Sequence, residues 1–438
     1  MKNIIAKIEK GSALALTLVV VSVASIIFLG IINYIVSQIR YSSHVEARES
    51  ALHVADAGLN FYKWYLAHAV EGMYMQEIAD FWQETDPYPY GVASPYEADF
   101  DGIGAYKISV EEPSVGSTVI EIEVIGWTYK KPNVKRTIHA TLRPRSWSEY
   151  AILANSDIEI EDGEEVNGLV HSNGGIKFDG VCHNEVTSAL TDYLYQGSIL
   201  KDGVWTTKPE EDEVFLGGKR FPAPIKDFDS VLTTFSQIFN AAVDLDFDYS
   251  PATKGHQFVL NYDTVSVYRV INTNNGVVTG KQEVSLDKEL PDVGAIYVDK
   301  NVWVEGTLGS GKKLVIASNQ PSVTHANIYI SNDIEYEDYV SGTVLGLVAK
   351  NDIEVVEGSE DDLRIDAALL AQLGRVGRED YGDTKSKITV FGAIATNQGY
   401  GFNGYTTKEI EFDSNLLLNP PPFFPIEGVY RVDFWNEI

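Results

Sequence analysis

Three patterns of apolar and polar residues succeed one another along the chain. After a leader in which Lys2, Lys7 and Lys10 are offset only by Glu9, no charged residue occurs from Gly11 to Ile39. At about 1.5 Å rise per residue that stretch reaches about 40 Å as a helix, more than the ~30 Å hydrocarbon layer of a bilayer requires. From Arg40 to about Ala69 the apolar positions Val45, Leu52, Ala55, Leu59, Tyr62 and Leu66 keep helical spacing, with Arg40, Glu46, Arg48, Glu49 and Lys63 on other faces. The two stretches predict one long helix, membrane-spanning over 12–39 and amphipathic over 40–72. The excess of lysine before the span predicts a cytoplasmic N-terminus, with the bulk of the chain on the other side. Two other readings exist, a cleaved secretory signal and a buried soluble helix. The first has an apolar core of about 7–15 residues, roughly half of this one.

The second pattern is period two. Tyr106 to Val110, Thr118 to Ile125 and Val134 to Leu142 alternate as strands, with Gly116 and Lys131-Pro132-Asn133 as turns. They predict a small antiparallel sheet against the amphipathic helix, in a module over 73–147. Met73 to Gly102, aromatic and acidic, reads as a long connection.

The third pattern is a repeat. Ser156-Asp157-Ile158-Glu159-Ile160 returns as Asn332-Asp333-Ile334-Glu335-Tyr336 and again, 19 residues later, as Asn351-Asp352-Ile353-Glu354-Val355. Related short strands are Asn301 to Val304, Leu314 to Ala317, Asn327 to Ile330, Ala367 to Leu370 and Ile388 to Val390. Such spacing predicts stacked coils of a parallel β-helix, or β-solenoid, over 148–430, with an insertion around 190–290 and a tail over 431–438. A β-sandwich is the alternative, since periodicity does not separate parallel from antiparallel pairing. Asp227 to Ala242 carries one helical apolar stripe and is expected to cover an open face or end. Asn419 to Pro425, rich in proline, is expected to wrap over the last coil, or else to dock a partner.

Composition narrows the function classes. With 63 acidic and 34 basic residues the 438-residue chain carries a formal charge of −29, which argues against nucleic acid as a partner. A lone cysteine, Cys182, permits no intrachain disulfide and reads as a small buried apolar residue. Gly306 to Lys313 nearly matches a phosphate-binding loop, but Lys313 replaces the Ser or Thr that would hold magnesium, and a strand follows where a helix should open. His171-Ser172 near Asp179 lacks an oxyanion motif, and Asn173-Gly174-Gly175 reads as a turn. His183 and His325 lack metal spacing. Acidic clusters occur at Glu161 to Glu165 and Glu360 to Asp362, and Asp244, Asp246 and Asp248 are candidate Ca²⁺ ligands. Asp248 is followed by Tyr249-Ser250-Pro251 rather than the glycine of an EF-hand loop, and a solvated acidic face is the simpler reading. No other cofactor is expected.

The basic leader ending at Gly11, the apolar helix and the downstream Ala55-Asp56-Ala57-Gly58 together resemble the type IV pilin superfamily, particularly its minor-pilin members. The resemblance implies a leader over 1–11, cleavage by a prepilin peptidase between Gly11 and Ser12, and a helix that stays in the membrane or enters a filament core with other pilin-like subunits. It also makes the small sheet a pilin-like one. Major pilins carry glutamate at the fifth position after the leader and phenylalanine at the first, where this chain has Leu16 and Ser12. Leu16 cannot offset the positive N-terminus of a neighbouring subunit, which implies a minor or tip subunit. Gly168 to Gly175 resembles a segment preceding β-solenoid coils in predicted bacterial surface proteins with pilin-like N-termini. The expected fold is therefore mainly β with a long N-terminal α-helix, a small pilin-like sheet and a parallel β-helix. The expected function is that of a non-enzymatic surface protein of the inner, cytoplasmic membrane, acting in pilus assembly or adhesion to an unknown surface ligand. The alternatives are a surface-anchored β-helix polysaccharide lyase or hydrolase, and a structural envelope protein.

Overall fold

The computed structural model describes residues 2–70, 75–83, 87–113, 119–228, 231–243, 254–320 and 326–437. The chain is mainly β with one long N-terminal helix, α1 (Lys2–Ala69), unbroken over 68 residues. No proline interrupts it, and its glycines are too few to end it.

The second half of α1 lies on an antiparallel sheet of β1 (Tyr96–Phe100), β2 (Gly104–Glu111), β3 (Ile120–Thr128) and β4 (Lys135–Ser146). Val54, Ala55, Leu59, Tyr62 and Leu66 of the helix meet Ile108, Val110, Ile122, Val124, Ile138 and Leu142 of the sheet in one core. Of the expected amphipathic stripe, Ala55, Leu59, Tyr62 and Leu66 are buried, Leu52 is half-buried and Val45 is exposed. Each valine, leucine or isoleucine of that core contributes roughly 1.5–3 kcal/mol when fully buried. The segment 73–102, expected as a long connection, instead holds helix α2 (Met75–Gln83) and β1. The reason is its aromatic content: Ile78, Phe81 and Trp82 share one helical face and enter the core, while Tyr90 and Tyr96 stack at 4.5 Å between ring centroids.

Beyond β4 the pairing becomes parallel. One column of strands runs Val293–Val298, Lys313–Ser318, Val344–Ala349, Asp362–Ala371 and Lys385–Thr396, each beside the next. It continues through Tyr150–Ala154, Leu169–Ser172, Val186–Ser188 and Lys219–Arg220. A second column runs from Gly255–Tyr262 through Asn301–Leu308, Ile328–Tyr336, Ile353–Val355 and Val376–Arg378 to Tyr400–Phe402. A third joins Asp362–Ala371, Lys385–Thr396, Tyr405–Phe412, Glu165–Asn167 and Val181–Cys182. Between the columns lies one apolar core, with Ile160, Val166, Phe178, Ile316, Leu347, Leu369 and Ile394 buried in it.

The order of strands in these columns differs from their order in the chain. The body starts in the middle, at Tyr150–Ala154, and winds outward to Lys219–Arg220. The chain then crosses to the far end, turns through antiparallel strands Gly255–Tyr262, Thr264–Asn274 and Val277–Glu289, and winds back. Its last strands meet its first, with Ile394 opposite Ile152 and Ile410 opposite Val166. That return brings the C-terminus beside β4. Strand Ile426–Glu437 pairs antiparallel with β4 as the fifth strand of the N-terminal sheet, so residues 431–437, expected as part of a tail, belong to a sheet.

Two decorations lie on the first column. Helix Val231–Ala241 places Phe235 and Ile238 against Ala295, Val315 and Ala317, covering a face as its apolar stripe predicts. The proline-rich segment does not wrap the last coil. Pro420, Pro421 and Pro422 are buried along the flank, Pro421 against Gly346, while Phe424 joins Val344, Val348 and Leu370. Burial of these rings leaves no polyproline face to dock a partner there.

Candidate assembly helix and polar sites of the body

Among the described residues, the apolar part of α1 from Ala13 to Ile39 is exposed along its length. It is long and apolar enough to cross a membrane, and its most apolar window has none of its surface buried in the fold. Leu14, Leu18, Ile26, Phe28 and Ile39 are all exposed. Its hydroxyls bond back to the helix itself, Thr17 to the Leu14 carbonyl, and Ser22 and Ser25 to those of Leu18 and Val21. Polar atoms so satisfied are tolerated in hydrocarbon. Contact with the sheet begins near Ser43, whose Oγ accepts Lys131 Nζ at 2.7 Å. Gly11 and Ser12, the expected processing pair, lie within the unbroken α1.

The Ala55-Asp56-Ala57-Gly58 motif is a packing device. Ala55 and Gly58 face the sheet, while Asp56 faces solvent and bonds Asn60. A Cβ on Gly58 would stand 2.8 Å from Tyr106 and Val124 side-chain atoms. The opposing Gly126 of β3 is tighter still, since a Cβ there would lie 2.3 Å from Ala55 N and 2.4 Å from Ala51 O.

In the body, the repeated aspartates share one task. Asp157 Oδ1 accepts the Gly175 N–H, Asp333 Oδ1 that of Arg364, and Asp352 Oδ1 that of Arg375, each from the next pass of chain, at 2.7–2.9 Å. Asparagines stack beside them: Asn173 donates to Asn155 and Asn155 to Asn397, bridging the junction where the last strands meet the first. Gly175 and Arg375 stand just before strands, while Arg364 lies inside Asp362–Ala371, and in each place the aspartate satisfies a backbone donor.

The other candidates disperse. Glu161 and Glu164 engage Lys408, Asp162 pairs with Lys208, and Glu165 with His183. Asp361 bonds Ser386, and Glu360 accepts from Asn332. Among the described residues no group of three or more His, Cys, Asp or Glu could hold a metal ion. Asp244, Asp246, Asp248 and His325 lie outside the described residues. His171 and Ser172 are not brought to Asp179: Ser172 donates to the Ser156 carbonyl, and Asp179 accepts from Thr206 and Thr207. Gly306 to Lys313 is the end of one strand, a turn over Gly309 to Lys312 and the start of the next strand, with Lys312 bound to Asp292 and Lys313 to Asn419. Cys182 is buried, and burial pushes its thiol up to about 11.

Sequence reasoning missed the buried ionic groups. Glu149, 2% exposed, accepts from Arg143 and Arg431 and lies 3.3 Å from Arg145, while Arg143 also reaches Asp433. This network ties the chain's exit from the sheet to its return. One signal was available, because Ser146 and Glu149 form a capping box with the S-x-x-E spacing. Glu354, set between Arg375 and the Glu379 N–H, has its carboxyl pushed up to about 7 by burial. Burial also raises Asp413, to about 6, and Asp366, which accepts from Tyr339 and the Tyr336 N–H.

No protein-family model and no curated protein matches the chain. Among solved structures, the competence-associated pilin ComZ from Thermus thermophilus is similar over 90% of this chain and 97% of its own, at 12% identity and a TM-score of 0.31. Similarity at that level carries no inference about function.

Proposed function

We propose that this chain is a membrane-anchored, pilin-like cell-surface protein, a minor or tip subunit of a type IV pilus system acting in pilus assembly or adhesion. The observation that carries the reading is the division of α1: one continuous helix whose first half is bare and apolar and whose second half is sealed into a five-stranded antiparallel sheet. Such a helix can lie in a bilayer or among other helices while holding a folded body at its far end. Prepilin peptidase would cut between Gly11 and Ser12, leaving the N-terminus at the cytoplasmic side of the inner membrane. Leu16 in place of a carboxylate favours a rare position over repeated use along a filament.

We read the parallel columns as a β-solenoid, which their in-register stacking supports over a sandwich. Its role is presentation rather than catalysis, and the dispersal of acids into separate ion pairs supports that reading over a lyase or hydrolase. The test is cell fractionation combined with protease shaving of intact cells. Retention of the full chain in membranes or sheared pili, at a small fraction of the major subunit, is expected, with release on deletion of 1–39. A full chain found free in the cytoplasm would refute the proposal.

A further inference from the structure

In a chain with almost twice as many acids as bases, one cleft reverses the ratio. Arg145, Arg220 and Lys226 line a cavity of about 410 Å³ in which Glu185 is the one acid among the described lining residues, with Glu149 standing behind Arg145 at 3.3 Å. Its size falls within the roughly 300–1,000 Å³ of small-molecule sites. It opens where the end of β4 meets the strand Leu169–Ser172, beneath the strap from Arg220 to Lys226.

Each cation is held in place before any ligand arrives. Glu185 grips Arg220 through two hydrogen bonds of 3.0 Å, and Arg145 donates to the Tyr150 hydroxyl at 3.1 Å. Lys226 and Arg145 both lie over the Tyr150 ring, at 5.5 and 5.6 Å from its centroid. The strap is pinned at its middle, by Ala223 N–H to the Ser188 carbonyl, and at its far end by a reciprocal pair between Asn173 and the Lys226 backbone. His171, 2% exposed, lines the floor, its Nδ1 2.9 Å from Thr187 Oγ1, whose own proton goes to the Val170 carbonyl. Leu169, Ala223 and Pro224 supply apolar wall. Oriented cations, a buried imidazole and a partly apolar wall suit an organic anion, which would meet Arg220 on the edge that Glu185 leaves uncovered.

We infer that this cleft binds a small organic anion through its carboxylate, with Arg220 and Lys226 as the principal contacts and Arg145 behind them. The inference goes beyond the anchored, pilin-like reading and stands or falls without it, since α1 contributes nothing to the cleft.

Calorimetric titration of the detergent-solubilised full chain with galacturonate, trigalacturonate and galactose tests it. Galacturonate is expected to bind at least about tenfold more tightly than galactose, in line with a charge-assisted contact, and to weaken as salt is raised. A trimer that binds at least as tightly as the monomer makes a surface glycan the source of the carboxylate. Binding of the monomer alone makes the source a free acid. Arg220→Gln and Lys226→Gln, at the two ends of the strap, should each weaken binding about tenfold or more, while Lys201→Gln, on the antiparallel pair Asp192–Tyr195 and Ile199–Asp202 that does not line the cleft, leaves it unchanged. Circular dichroism confirms that each variant is folded. Failure of both anions to bind, equal binding of galactose, or full affinity in both strap variants would overturn the assignment.

Discussion

Gly126 and Gly30 show how differently one residue type can matter within a single chain. A methyl group on Gly126 would collide with the backbone of α1 at Ala51 and Ala55, whereas one on Gly30 meets nothing within 4 Å. Gly126→Ala should therefore destabilise the N-terminal module by roughly 2 kcal/mol or more, and Gly30→Ala should leave it unchanged, as thermal unfolding of the detergent-solubilised chain will show. Glu354 gives a pH prediction. Its carboxyl is raised from the usual range to about 7, so the folded state holds its proton more tightly than the unfolded state does. The stability it contributes is complete below the unfolded value and falls as pH rises through about 7. Glu354→Gln, which imitates the protonated acid, should gain in melting temperature relative to the wild type between about pH 5 and about pH 8, and a constant difference would contradict the assignment. Neither residue advertised its role. Gly126 reads as a weak strand position until the helix is laid across it, and Glu354 reads as the solvent-facing acid of a repeat until Arg375 and Glu379 close over it.

At the scale of elements, local patterns were the most legible. The unbroken α1, its buried stripe, the period-two strands and the helix over the first column all follow from spacing, because each buries a face defined by its own residues. The strand Ile426–Glu437 was not legible, since its partner β4 lies almost 300 residues away in the chain and is reached only after the body has wound out and back. The same return accounts for Glu149, whose partner Arg431 rides on that strand. Truncation after Pro425 should expose the edge of β4 and leave the buried Glu149 with Arg143 and Arg145 alone. Hydrogen exchange should then quicken across Lys135–Ser146 while the parallel columns keep their protection. Unchanged protection in β4 would show that the fifth strand contributes little.

At the scale of the whole molecule, the chain divides into a bare apolar rod, a small sheet that grips it, and a parallel-stranded body inserted between the sheet's fourth and fifth strands. Body and sheet are joined at two chain crossings, both beside Glu149. The repeat of Asp-Ile motifs made stacked strands legible. The closure of the stack in its middle was not, because only tertiary contact sets Ile394 beside Ile152. The proposed function turns on the rod being processed and kept as an anchor. N-terminal mass analysis of the protein recovered from its native membranes tests this most directly. A mature chain beginning at Ser12 is the predicted result, and one beginning at Met1 or beyond Ile39 would contradict it.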